Sequence, residues 1–497
     1  MIQLEPGEIK KQRKLVIIWS VTFLVVFPVL ITLGLLMRLR QGEDIKIGMD
    51  TFYALMTMHG LGMAGTLFSI AFAALWYLIA TRHANLNLGV GYLVYFLNII
   101  GGGGLFFATL IGRFGAGWYL LYPLPFKGAN WPTWTTLITI ISLIILGVAW
   151  LIGILHLIYR IAKEYGGFTN LLGWQYLGKK EVQKELPPIV LITTISLVPG
   201  VIAFLAGAVW MIIYLLKYFE PTLAFDPLLL KNLGFFFGHT LVNITLYCCV
   251  GWVYALLPEF TGRKWKTDKV LVYAWNATFF FILFAYFHHL YMDFVQPLPF
   301  QYAGQIASYL SAVPSTAITM FGVIVQLYHS KIKWGIIPLT FLIGIAGWAI
   351  GGFSAVVDST IAVNTVLHNT LWVPAHFHTY MLTGVVLFIL GFLFYMSHSK
   401  EEQERDKTGK LGFWLFVIGA HSFIAMFYMG GLKSIPRRYS DYSGIPISST
   451  HSTGALLAQI AVVFIGLLLI GLTIMYFSIL KKLFRRVANA TGTVVSA

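Results

Sequence analysis

Runs of about twenty apolar residues recur along this chain, and they leave few folds open to it. A run of that length crosses the hydrocarbon of a bilayer as a helix, because a helix alone satisfies its own backbone there. Twelve such runs can be read, at 15–37, 51–80, 90–112, 134–159, 188–216, 232–258, 270–292, 304–329, 334–356, 370–397, 411–432 and 454–480. Most are apolar all round rather than along one stripe, as helices facing lipid or a bundle core require. Only 11% of the 497 residues are charged, against about 25% in a soluble protein. The expectation is an all-α polytopic membrane protein, with one twelve-helix domain over 1–497. Charged residues lead straight into the first run, so no cleavable signal peptide is expected.

The net charge of +15 suggests nucleic acid until its placement is examined. Of the 34 Lys and Arg, 24 fall in the two termini and the even-numbered connections. The positive-inside rule then puts both termini in the cytoplasm, as an even number of spans also demands. The charge is topological, and no nucleic-acid partner is expected. Cys248 and Cys249 are the only cysteines. Adjacent on one helix, they are poorly placed for a disulfide and read as core packing.

Orientation gives the histidines meaning. Odd-numbered spans run outward and even-numbered spans run inward. His59 then lies near the outer end of span 2, His239 of span 6, and His376 and His378 of span 10. His288 and His289 sit near the outward end of span 7. At 1.5 Å per residue all six imidazoles fall in one layer, roughly 5–12 Å below the outer surface. His376 and His378, two residues apart, point to different flanks of their helix, so one helix can serve two cofactors. Intramembrane ionisable groups are functional candidates by default, and imidazole suits iron and copper.

These residues resemble subunit I of the heme–copper oxidase superfamily. The matching motifs are Met-His59-Gly, Gly-His239, Tyr-Phe-His288-His289, Val-Leu-His368-Asn-Thr, Trp-Val-Pro-Ala-His376-Phe-His378 and Ile-Pro-Arg437-Arg438-Tyr. The His-Asn-Thr-x-Trp-Val-Pro-x-His-Phe-His block and the spacing to Val-Pro-Ser315 are most similar to the B-type branch. The resemblance implies two hemes and one copper ion. His59 and His378 would be the axial ligands of a low-spin heme, and His376 the proximal ligand of a high-spin heme. His239, His288 and His289 would hold copper facing the second iron. Two ligands saturate an electron-transfer iron, whereas one leaves a reactive position. Arg437 and Arg438 stand on the outer side against the charge rule and would hold anionic heme propionates, which arginine forks suit. His368 would join that layer, with Asp358 and Asn364 beside it.

One departure bears on the reaction. A- and B-type oxidases carry a tyrosine four residues after the copper histidine of helix 6, joined covalently to a copper ligand. Here that residue is Asn243. Cleaving dioxygen in one step takes four electrons, one of them from that tyrosine. Coupling two nitric oxide molecules takes two electrons and two protons, which heme and copper can supply. Family members that reduce nitric oxide typically lack the tyrosine, so nitric oxide is the favoured acceptor and oxygen the alternative. Another oxidase branch draws its tyrosine from helix 7, where Tyr286 lies at an offset that does not match. Tyr247 is about 12 Å along the helix from His239. No glutamate neighbours His239, which favours copper over a non-heme iron.

The B-type proton path is partly kept in Tyr254, Ser315, Thr316 and Thr319, though such hydroxyls can equally cap carbonyls in a membrane helix. The chain has neither a paired-cysteine copper relay nor a Cys-x-x-Cys-His heme site. Electrons would therefore come from a partner subunit resembling subunit II, from cytochrome c, or from a quinol. The implied setting is a prokaryotic plasma membrane, with the active site nearer the outer face. A twelve-helix proton-coupled transporter is the non-enzymatic alternative. Such folds have repeated halves and broken helices. No half-repeat is visible, but Gly101–Gly104 could break span 3.

Overall fold

The computed structural model describes residues 5–127, 130–178, 182, 184–293, 295–445 and 448–491, and among these it contains helices and no strand. The helices that correspond to the runs are α1 (Pro6–Gln41), α2 (Met49–Arg82), α3 (Leu88–Ile111), α4 (Thr133–Tyr165), α5 (Pro188–Phe219), α6 (Pro227–Thr261), α7 (Lys269–Phe281), α8 (Leu298–Leu327), α9 (Ile336–Ser359), α10 (Trp372–Ser397), α11 (Lys407–Leu432) and α12 (Ser448–Thr491). All but α7 are long and apolar enough to cross a membrane, eleven among the described residues.

The expected seventh span, 270–292, is not one helix. α7 stops after 13 residues, and the chain continues as a tighter 3-10 segment, Ala285–Leu290, that carries both His288 and His289. The apolar run hides this change, because hydropathy is blind to helix type. Packing against α8 explains it. Ser308 Oγ of α8 lies 3.0 Å from His288 Nδ1. A Cβ on Gly304 of α8 would come within 2.7 Å of the Phe287 Cβ and 3.1 Å of the His288 backbone nitrogen. The turn rests directly on the α8 backbone.

The break that Gly101–Gly104 could have made, under the transporter alternative, is not found. α3 continues through the glycines to Phe106 and widens into one π-helical turn over Phe107–Ile111. α10 has a similar turn at Met381–Val385, just after His376 and His378 in the chain. Single π turns of this kind recur at functional sites. α10 is also the most enclosed span, with 94% of its apolar window buried. Elsewhere glycines bring helices together, as small residues do in membrane bundles. A Cβ on Gly471 of α12 would stand 2.4 Å from the Phe416 nitrogen of α11.

Two connections on the side of the bundle where α10 begins are tied to each other. The backbone nitrogen of Leu371 donates to Ile435 O at 2.9 Å, and that of Arg437 donates to Asn369 O at 2.8 Å. Asn369 and Arg438 both take left-handed backbone angles, φ 62° and 71°, conformations uncommon for residues with a Cβ. The segment carrying Arg437 and Arg438 is thereby pinned against the start of α10.

Candidate functional site

α6 and the 3-10 segment bring three histidines together. Nitrogens of His239, His288 and His289 lie within 4.8 Å of one another. Their ring centres are 5.1 Å apart for 239–288, 5.3 Å for 239–289 and 4.0 Å for 288–289. His288 Nδ1 is turned to Ala285 O at 2.5 Å, which leaves Nε2 as the free nitrogen. His288 Nε2 and His239 Nδ1 are buried and have no hydrogen-bond partner among the described residues. Buried polar atoms are rarely left so. A cation bound by imidazole accounts for both orphaned nitrogens, so the cluster fits copper.

The other three histidines fall where the two-flank argument requires. His59 of α2 and His378 of α10 face each other with ring centres 6.4 Å apart and planes 15° from parallel. Two imidazole–metal bonds of about 2 Å each, plus about 1 Å from each nitrogen to its ring centre, span a similar distance. Both rings are turned by their Nδ1 atoms, His59 to Leu30 O at 2.8 Å and His378 to Pro374 O at 2.7 Å. Carbonyl partners of this kind fix the tautomer and free Nε2 for a metal. His376 turns the other way, with Nδ1 3.0 Å from Ser354 Oγ of α9. All six histidines line one largely apolar cavity of about 610 Å³. Such a space, with imidazoles on two flanks of α10, fits flat apolar macrocycles.

Arg437 and Arg438 also line the cavity. Burial first, then its neighbour Arg438, lowers the Arg437 guanidinium to about 9, so it remains charged at neutral pH. Neither arginine forms an ion pair among the described residues. Arg437 donates to the Asn369 carboxamide at 2.9 Å, and Arg438 lies 4.0 Å over the Tyr119 ring. Two cations facing an apolar cavity, with no carboxylate within ion-pair distance among the described residues, suit an anionic ligand. His368 lies close enough to feel both charges. Burial, then Arg437, lowers it to about 4, so it is neutral at pH 7. Asp358 and Asn364 are buried together. Asn364 Nδ2 donates to Asp358 O at 2.7 Å, while Asp358 Oδ1 and Asn364 Oδ1 have no partner among the described residues.

Asn243 lies one turn from His239. Its Nδ2 donates to His239 O at 2.8 Å and is 3.4 Å from His239 Nε2. The tyrosines weighed as substitutes are engaged elsewhere. Tyr286 donates its hydroxyl to Asn232 at 3.0 Å, seven residues before His239. Tyr247 packs against Trp275 and Trp348. In the expected proton path, Tyr254 and Thr319 are joined across helices at 2.8 Å. Ser315 and Thr316 bond carbonyls of their own helix, at 3.2 and 2.7 Å. Cys248 and Cys249 are fully buried and unpaired.

Sequence reasoning missed three contributors. Gly34 of α1 makes room for the His59 ring, since a Cβ there would meet its Cε1 at 2.9 Å. Arg38 of α1 lines the cavity beside Phe427, 4.6 Å from that ring. Ser354 partners His376. A charge directly following the first apolar run was a usable signal for Arg38. The glycine and the serine had none, because their parts depend on which helix lies opposite.

Comparison with known proteins agrees with this architecture. The family model described as cytochrome c and quinol oxidase polypeptide I matches residues 14–465. Subunit 1 of cytochrome c oxidase from Cereibacter sphaeroides is 26% identical over 334 residues, covering 66% of this chain and 56% of that protein. The alternative cytochrome c oxidase subunit 1 of Bradyrhizobium diazoefficiens is 26% identical over 484 residues, 89% of this chain and 78% of its own. This chain thus spans little more than half of the first relative and over three quarters of the second. A solved heme–copper terminal oxidase dimer superposes with a TM-score of 0.77 at 20% identity, over 97% of this chain and 84% of its own. By the match over residues 14–465, the chain belongs to the heme–copper oxidase subunit I family.

Proposed function

We propose that this chain is the catalytic subunit of a respiratory oxidoreductase that reduces nitric oxide: 2 NO + 2 e⁻ + 2 H⁺ → N₂O + H₂O. The observation that carries this reading is Asn243, a carboxamide one turn from His239 where the oxidases named in the resemblance carry a phenol. A carboxamide can supply neither an electron nor a proton at neutral pH. Tyr286 cannot replace the phenol while its hydroxyl is held by Asn232. Tyr380 lines the same cavity but packs on the His376 ring, 5.1 Å between centres, one turn further along α10.

In this reading His59 and His378 hold a low-spin heme, His376 holds a high-spin heme, and His239, His288 and His289 hold copper. When bound, the high-spin iron and the copper supply two electrons and two positions for the gas. The chain's own residues do the rest. Apolar walls admit an uncharged diatomic and exclude water, while Arg437, Arg438 and neutral His368 orient the anionic edges of the hemes. Tyr254 and Thr319, with Ser315 and Thr316 above them, move protons outward from the inner side. Electrons enter from a partner subunit, cytochrome c or a quinol. The setting is a prokaryotic plasma membrane, with both termini inside and the site nearer the outer face.

Oxygen reduction is the second reading, favoured by the oxidase names of the relatives above. Family membership sets the transporter reading aside. Oxygen and nitric oxide consumption measured on one purified preparation separates the two enzymes. The expected result is rapid nitric oxide loss with nitrous oxide formed one for two. Fast oxygen turnover with negligible nitric oxide loss would overturn the proposal.

A further inference from the structure

α6 turns one face toward the 3-10 segment that carries His288 and His289. Lys231, Asn232, Phe235, Phe236 and His239 share that face, at helical spacings of one, four, five and eight residues. At its deep end His239 meets the other two histidines. Next, Phe235 packs on the His289 ring with centres 5.6 Å apart, and Phe236 on Tyr286 at 5.5 Å. Asn232 accepts from the Tyr286 hydroxyl at 3.0 Å and donates to Gln296 Oε1 at 3.3 Å. Lys231 closes the face. Its Nζ lies 2.7 Å from each carboxylate oxygen of Asp293, four residues past His289. The Asp293 backbone nitrogen donates to Leu290 O at 3.0 Å, so holding Asp293 holds the end of the segment. The two side chains are only 25% and 22% exposed, and solvent screens such a pair less than a surface one.

The segment needs a tie of this kind. It is a short 3-10 turn, with poorer hydrogen-bond geometry than an α-helix. Gly304 sets how closely it lies on α8, but not how far it stands from α6. A centre that takes His239 from α6 and two histidines from the segment requires both distances. Aromatic contacts tolerate sliding, whereas two charge-assisted contacts at 2.7 Å do not. We infer that Lys231 and Asp293 are positioning residues for the metal centre: their ion pair clamps the 3-10 segment to α6 and sets the spacing of His239 from His288 and His289. Neither lines the cavity, so neither acts on the gas directly. The inference rests on those three histidines holding copper and not on which gas is reduced.

The test uses the purified holoenzyme with its native subunits. Copper loss to a chelator is timed by the copper-to-iron ratio. Low-temperature infrared, taken after light releases carbon monoxide from the ferrous high-spin heme, reads the C–O stretch of the copper adduct. In Lys231→Met copper should leave about tenfold faster, within the range that outer support of a metal ligand is worth. The stretch should shift or broaden, with both heme spectra unchanged. Lys231→Arg, and the exchanged pair Lys231→Asp with Asp293→Lys, should recover most of the parent behaviour. If Lys231→Met fails to assemble, Asp293→Asn, which keeps the shape of the carboxylate and removes its charge, is read in its place. Copper loss and stretch equal to the parent's in the uncharged variant would overturn the proposal. So would a defect that neither arginine nor the exchange repairs, or hemes lost together with the copper. His288→Ala is measured alongside. If it keeps copper, the ligand assignment has failed; if it loses copper while Lys231→Met does not, the clamp alone has failed.

Discussion

Asn243 ties its Nδ2 to the carbonyl of His239 and approaches the Nε2 of the same residue at 3.4 Å. It therefore contacts an imidazole of the proposed copper set as well as standing where the oxidases carry a phenol. Asn243→Leu keeps similar volume and removes both contacts. Nitric oxide turnover should fall about tenfold, the lower end of the usual cost of losing a partner behind a metal ligand, with both heme spectra intact. Full turnover with normal copper content would show that the carboxamide has no part in the site. The two histidines of α10 make a paired prediction, because they face different neighbours. His376→Ala should lose the high-spin signal and keep most of the low-spin one, and His378→Ala should do the reverse; absorption and EPR spectra decide. At this scale the six histidines were legible, since imidazole inside an apolar run is unusual enough to stand out. Gly34 and Ser354 were not, because their roles lie in contacts between helices that no single stretch of sequence contains.

Helices show a similar division. Eleven of the twelve runs became single membrane-length helices among the described residues, since twenty apolar residues in lipid have one economical solution. The exception carries two of the three histidines assigned to copper. Hydropathy does not register the change at Phe281, because Phe-Phe-Phe-Ile-Leu-Phe is as apolar as the helix before it. What shapes the 3-10 segment is α8, whose Gly304 lies against Phe287 and His288. Gly304→Ala should push the segment away from α8, with an overpacking cost of about 1–3 kcal/mol. His288 would then leave Ser308, and the copper-to-iron ratio should fall while both hemes stay bound, as elemental analysis with heme extraction would read. An unchanged ratio would show that the turn is held by its own sequence and not by the neighbouring helix.

Over the whole molecule, charge and chemistry point the same way across the membrane. By the positive-inside rule the side that carries 24 of the 34 basic residues would be the inner one. Arg437 and Arg438, which line the cavity and form no ion pair among the described residues, lie on the connection from α11 to α12, an odd-numbered one that this frame makes outer. If that frame holds, an outer donor reaches the heme propionate side directly, while protons from the inner side must climb past Tyr254 and Thr319. The orientation can be tested without any cofactor. Both native cysteines are fully buried and should stay silent toward a membrane-impermeant maleimide. Ser443, exposed between α11 and α12, and Lys331, exposed between α8 and α9, then report opposite faces once replaced singly by cysteine. In intact cells Ser443→Cys should label and Lys331→Cys should not, with both labelling after the membrane is opened. The reverse pattern would place the site nearer the cytoplasm, and the direction argued for proton uptake would have to be inverted with it.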